Sequence, residues 1–95
     1  MFHVEHLKEL KNMNSRELIN AFIDDNFNRN NFDINIIDDL LAILIDNKGN
    51  KLSLIAVPSY RNDMDYVICT KINNVPHLEY RLSTDYYGNR VWMIF

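Results

Sequence analysis

The sequence predicts an α+β fold, with one or two N-terminal helices packed on an antiparallel meander sheet of about five strands. Three observations lead there. In the first third of the chain, apolar residues recur at helical spacing around a capping signal. From residue 32 the pattern changes to alternation, the period of a half-buried strand. The string Asp-x-x-Gly-Asn then occurs twice, at residues 46–50 and 85–89, each time between two alternating runs. Each copy reads as a hairpin turn closed by a left-handed glycine.

Leu7, Leu10 and Met13 recur at i, i+3 and suggest a first helix over residues 3–12. Asn14 and Glu17 have the spacing of a capping box, with Asn in place of the usual Ser or Thr. A second helix over residues 15–27 follows. Leu18, Ile19, Phe22, Ile23 and Phe27 lie on one of its faces, with Arg16, Asn20, Asp24 and Asp25 largely opposite. Residues 26–31, Asn-Phe-Asn-Arg-Asn-Asn, read as helix end and loop, because Asn tolerates left-handed backbone and competes for backbone hydrogen bonds.

Residues 32–39 suit either a strand or a helical face, and the hairpin that follows favours strand. Five strands are expected, over residues 33–46, 51–57, 64–72, 78–84 and 90–95. Setting Asp46 opposite Asn50 puts Leu44 against Leu52, Ala42 against Leu54 and Leu40 against Ala56. That makes one face wholly apolar, while the other mixes Ile43 and Ile45 with Lys51 and Ser53. Residues 73–76, Asn-Asn-Val-Pro, break the next strand. Setting Asp85 opposite Asn89 pairs Leu82 with Trp92 and Tyr80 with Ile94.

Composition bounds the function. At 95 residues the chain is one domain, expected to span residues 1–95 and long enough to hold a core without disulfide or metal. A net charge of −3 argues against nucleic acid or anionic membrane as a direct partner. A lone cysteine fits a reducing compartment, and no apolar run is long enough to span a membrane, so a cytoplasmic protein is expected. Fourteen Asn and eleven Ile against three Ala and two Gly match A/T-rich coding, as in a low-GC bacterium or its phages and plasmids.

Few residues offer chemistry. His3 and His6, with Glu5 between them, lack third and fourth ligands nearby, and no metal or other cofactor is expected. Cys69 with His77 is the one thiol–imidazole combination. Cys69 falls mid-strand, however, with no cationic cluster to lower its pKa. Of the Asp pairs, Asp24-Asp25 and Asp38-Asp39 are adjacent, and neighbours on a strand point to opposite faces. Asp63 and Asp65 share a face at a loop end. With only Gly49 and Gly88, phosphate-cradling loops are excluded. No catalytic residue is assigned.

A binding surface is better supported. Residues 31–50 carry Asp33, Asp38, Asp39 and Asp46 against Lys48 alone, a local −3 suited to a basic partner surface. In a meander, alternate connections share an end of the sheet, which groups residues 58–63 with residues 85–90. Asp38 and Asp39, at the start of the first long strand, join them. The predicted partner-binding set is therefore Asp38, Asp39, Tyr60, Arg61, Asp63, Tyr86, Tyr87 and Arg90, rich in the Tyr and Arg of interface hot spots. Val91, Met93 and Phe95 share the outer face of the predicted edge strand and form a candidate homodimer surface.

In size, acidity and α+β format, over the whole chain and without a diagnostic motif, the protein resembles the small phage-encoded inhibitors typified by anti-CRISPR proteins. The resemblance implies a non-enzymatic module that binds and blocks a host defence machine, its partner a larger protein or nucleoprotein complex. Two alternatives stand beside it. One is a small hydrolase using Cys69 and His77 or clustered Asp, and the other a toxin-neutralising or immunity protein.

Overall fold

The structure, a computed structural model, describes residues 13–59 and 66–94. The expected helix over residues 3–12, with His3 and His6, lies outside the described residues. Helix α1 (Ser15–Asn26) begins where the capping box predicts. The Glu17 backbone N–H donates to Asn14 Oδ1 at 2.8 Å, and Glu17 Oε1 accepts from the Asn14 N–H at 3.2 Å. Two of the otherwise unpaired N-terminal donors are thereby satisfied. The helix stops at Phe27, whose backbone is extended, and a single 3-10 turn (Arg29–Asn31) leads into the sheet.

Six strands follow in strict meander order, each antiparallel to the next: β1 (Phe32–Asp38), β2 (Leu41–Asp46), β3 (Lys51–Pro58), β4 (Tyr66–Ile72), β5 (Val75–Thr84) and β6 (Arg90–Ile94). The expected count of about five is thus corrected to six, because residues 33–46 are two strands and not one. Asp38 Oδ1 accepts the Leu40 N–H at 2.7 Å, turning the chain at Asp39 and Leu40. A bulge between Ile36 and Asp38 precedes that turn. Asp38 and Asp39 therefore lie in a hairpin between two strands, not at the start of one long strand.

The register on either side agrees with the alternation. Ala42 pairs with Leu54, Leu44 with Leu52, Leu82 with Trp92, and Tyr80 with Ile94. The Leu40 carbonyl accepts from the Ala56 N–H at 2.8 Å, extending the β2–β3 ladder past its last Cα pair.

Val75 and Pro76 also depart from expectation, belonging to β5 and not to a break. The turn is only Asn73 and Asn74, at φ 50° and 70°. Positive φ at both central residues is the two-residue hairpin geometry that matches strand twist, and Asn tolerates it. Among the described residues no strand pairs with the outer edge of β5 over residues 75–79, the kind of edge position where proline is accepted.

Helix α1 lies over β3 and β4 on one face of the sheet. Ile19, Phe22 and Ile23 are essentially sealed from water together with Leu44, Leu54 and Ile68. Each such side chain contributes about 1.5–3 kcal/mol of transfer free energy. Phe22 is the hub. Its ring meets Tyr80 at 4.9 Å, Trp92 at 5.0 Å and Phe27 at 6.0 Å, and Phe27 in turn meets Phe32 at 5.4 Å. This aromatic chain joins the first strand to the last across the end of the helix.

Candidate functional site

The two Asp-x-x-Gly-Asn turns are near-duplicates in space. In the first, Asp46 Oδ1 accepts from the N–H groups of Lys48 (2.9 Å) and Asn50 (2.8 Å), and Asp46 Oδ2 accepts from Asn50 Nδ2 (3.0 Å). In the second, Asp85 Oδ1 accepts from the N–H groups of Tyr87 and Asn89, both at 2.9 Å, and Asp85 Oδ2 accepts from Asn89 Nδ2 at 3.2 Å. The glycines stand at φ 83° and 84°, a left-handed conformation that a Cβ would strain. These bonds hold both Asp carboxyls below their ordinary pKa. The Asn50 side chain is the main cause for Asp46, and the Asn89 backbone N–H for Asp85.

What differs is the pair of residues each turn displays. The first carries Asn47 and Lys48, and the second carries Tyr86 and Tyr87, which are 95% and 74% exposed. The two tyrosine rings touch edge to face at 5.4 Å. The polar twin shows that the turn geometry does not require aromatic rings. Two tyrosines held in water on a turn fixed by a carboxylate form the most pronounced aromatic feature of the described surface.

The strand directions put the Asp39–Leu40 turn at the same end of the sheet as the tyrosine turn. The two turns stand four strand spacings apart, however, roughly 19 Å in a flat sheet, so they share an end without forming one cluster. Asp38 already accepts from the Leu40 N–H, while Asp39 lies 3.8 Å from Arg16 in an exposed pair of little energetic weight. Ile37 and Leu40 flank them, each about half exposed. These two residues were missed because a continuous strand over 33–46 hides its own turn. Tyr60, Arg61 and Asp63 lie outside the described residues.

Arg90 is held within the fold. Its Nε and Nη2 donate to the two carboxylate oxygens of Asp25 at 2.8 and 2.7 Å, and Trp92 Nε1 donates to the same carboxylate at 2.8 Å. Asp24 and Asp25 occupy the last turn of α1, where the helix dipole disfavours negative charge. Each has a cation, since Arg29 reaches Asp24 at 2.6 Å. Burial alone would raise the Asp25 pKa. The hydrogen bonds from Arg90 and Trp92, with the Arg90 charge, outweigh it and hold the carboxyl below its ordinary value.

Cys69 faces Glu79 across the β4–β5 ladder, and its Sγ donates to Glu79 Oε1 at 3.6 Å. Burial first, then the Glu79 charge and hydrogen bond, push the thiol pKa up, the reverse of nucleophile activation. His77 is exposed, and the Cys69 thiol donates to Glu79 instead. Among the described residues no group of three or more His, Cys, Asp or Glu side chains is placed to hold a metal ion. No helix among them is long and apolar enough to cross a membrane. Val91 and Met93 lie exposed on β6, on the sheet face away from α1, and Phe95 lies outside the described residues. Comparison with protein-family models, curated proteins and solved structures finds no match for this chain.

Proposed function

We propose that this chain is a non-enzymatic protein-interaction module, an inhibitor carried by a phage or mobile element that binds and blocks a host defence machine. The observation that carries the binding reading is the exposed Tyr86–Tyr87 pair on its carboxylate-locked turn. Tyrosine combines a large rigid contact area with a polar tip, and pre-ordering its loop lowers the entropic cost of binding. The small acidic α+β format and the A/T-rich coding bias support the choice of a phage-type inhibitor. The partner is a larger protein or nucleoprotein complex, with Asp38 and Asp39 as a second acidic contact toward a basic surface. A hydrolase is less well supported, because a thiol with a raised pKa is a poor nucleophile.

The test is a quantitative pull-down from lysate of a candidate host, with the unmodified chain compared against two double variants. Replacing Tyr86 and Tyr87 by Ala should weaken capture of the dominant partner at least about tenfold, since hot-spot side chains contribute about 2 kcal/mol or more. Replacing Asn47 and Lys48 by Ala on the twin turn should leave capture unchanged. Equal capture by all three proteins would remove the tyrosine turn from the interface, and recovery of the bait alone would remove the binding reading.

A further inference from the structure

The sheet ends in two edge strands, β1 and β6, and β5 adds a third open stretch where residues 75–79 run past the end of β6. An open edge is a template for another strand, and proteins blunt it with bulges, proline or charge. Two of the three stretches are blunted. β1 has a bulge between Ile36 and Asp38 and exposes Asp33 and Asn35. Residues 75–79 hold Pro76, a register shift against β4, and Glu79. β6 has neither proline nor bulge. Its register with β5 is unbroken from Arg90 to Ile94, and Val91, Met93 and Ile94 are 38%, 49% and 59% exposed. The hairpin fixes which backbone groups are open. The Asp85 N–H donates to the Asn89 carbonyl, and bonded pairs recur at every second residue of an antiparallel ladder, so Val91 and Met93 bond to β5. The N–H and C=O groups of Arg90, Trp92 and Ile94 therefore point off the sheet, where no described strand meets them.

We infer that β6 pairs antiparallel with β6 of a second copy of the chain, joining the two sheets edge to edge. A two-fold axis normal to the sheet at Trp92 sets Arg90 of each copy opposite Ile94 of the other and the two Trp92 residues opposite each other. All the outward-facing positions then fall in bonded register, with about six main-chain hydrogen bonds between the copies. On the face away from α1, each exposed Val91 meets the other copy's exposed Met93, an apolar cross-strand pair made twice. A second copy is the occupant these residues favour, because the chain supplies an open edge of the right length and like charges do not meet. The one charge on β6, Arg90, is already paired with Asp25 and in this register faces Ile94. The helices also clear each other. α1 reaches β6 only at Arg90 and Trp92, and the two Arg90 residues stand four positions apart along the pair, roughly 14 Å, more than a helix diameter. The two Tyr86–Tyr87 turns lie at opposite ends of the paired strands, outside the contact.

Sedimentation equilibrium and amide hydrogen exchange of the full chain, between about 50 µM and about 1 mM, test this. The expected mass rises from 11.3 kDa toward twice that value, with a midpoint of some hundreds of micromolar, suited to a contact one strand long. Exchange at the Trp92 and Ile94 amides should slow at least about twofold at the higher concentration, while Val91 and Met93 stay protected at both. Ile94→Pro removes an outward N–H and spares the bonds to β5, and Met93→Lys puts a charge on the open strand. Each should raise the midpoint at least about tenfold with far-UV circular dichroism unchanged. Asn35→Lys, on the opposite edge, should leave it where it is. The Tyr86/Tyr87 double Ala variant should dimerise normally, which separates this inference from the proposed function. Where Ile94→Pro fails to fold, Met93→Lys and the exchange rates decide. A monomer throughout the range would overturn the inference and leave the β6 edge to a strand of a different protein. A dimer undiminished in the folded variants, or one whose Trp92 and Ile94 amides exchange equally fast at both concentrations, would place the contact elsewhere and overturn it too.

Discussion

Arg90 and Asp25, 65 residues apart in sequence, meet in a two-bond ion pair that fastens the last turn of α1 to the start of β6. Trp92 donates to the same carboxylate, so one acidic group satisfies two residues of the final strand. The two side chains remain a quarter to a third exposed, which tempers the energy of the pair. Arg90→Ala should cost about 1–2 kcal/mol, read as a fall in Tm of roughly 5–15 °C for a domain of this size.

The same pair sets a pH dependence. The Asp25 pKa is lower in the folded protein than the roughly 3.9 of an unfolded chain, so its contribution is complete above that value. It is lost as pH falls through the folded-state value. Urea titrations between about pH 5 and pH 2.5 should show stability dropping in that window, and the drop should be shallower in Asp25→Asn. An identical acid slope in both proteins would show that Asp25 is not the group responsible.

Phe22 has the aromatic contacts that join β5 and β6 to the end of α1. Phe22→Ala removes a sealed ring from the hub and should destabilise by about 3–5 kcal/mol. That is a large share of the roughly 5–15 kcal/mol typical of a domain. Phe22→Leu should cost less, because it leaves a smaller cavity. Chemical denaturation midpoints for the pair give the comparison directly.

The Asn73–Asn74 turn yields opposite outcomes at adjacent positions. Asn73 Oδ1 accepts the Lys51 N–H at 2.8 Å, and its Nδ2 donates to Asn50 at 3.2 Å. Asn73→Ala should therefore destabilise by about 1–2 kcal/mol through lost hydrogen bonds and strain at positive φ. Among the described residues the Asn74 side chain makes one long contact, from Lys51 Nζ at 3.4 Å, and Asn74 sits at φ 70°. Asn74→Gly, giving the favoured Asn-Gly pair, should raise Tm by a few degrees.

Cys69 should react slowly with thiol reagents. Its rate of alkylation should rise with pH later than that of a free cysteine, because burial and Glu79 both favour the neutral thiol. Glu79→Gln removes the like charge and should move the profile toward lower pH. An unmoved profile would assign the raised pKa to burial alone.

Much of this architecture was legible in the residues because its determinants are local. Asn14 and Glu17 cap a helix whatever lies beyond it. Asp46 and Asp85 close turns with bonds to residues at most four positions away, and those turns impose the pairings of Leu44 with Leu52 and of Leu82 with Trp92. The extra strand was less visible, since Asp38 and Asp39 interrupt an apolar run that reads equally well as one strand. Only the Asp38–Leu40 bond and the bulge before it reveal the reversal.

The binding residues divide the same way. The sequence by itself placed Tyr86 and Tyr87 on a turn, but their exposure depends on what surrounds that turn in space. Arg90 shows the converse, because its neighbours in sequence give no sign of Asp25. Tertiary structure alone decided that Arg90 is committed to the fold, which face of the sheet the helix covers, and that Cys69 answers to Glu79 and not His77. Turn and capping chemistry act within a few residues, whereas burial and charge pairing depend on segments distant in the chain, brought together only when the sheet and helix pack.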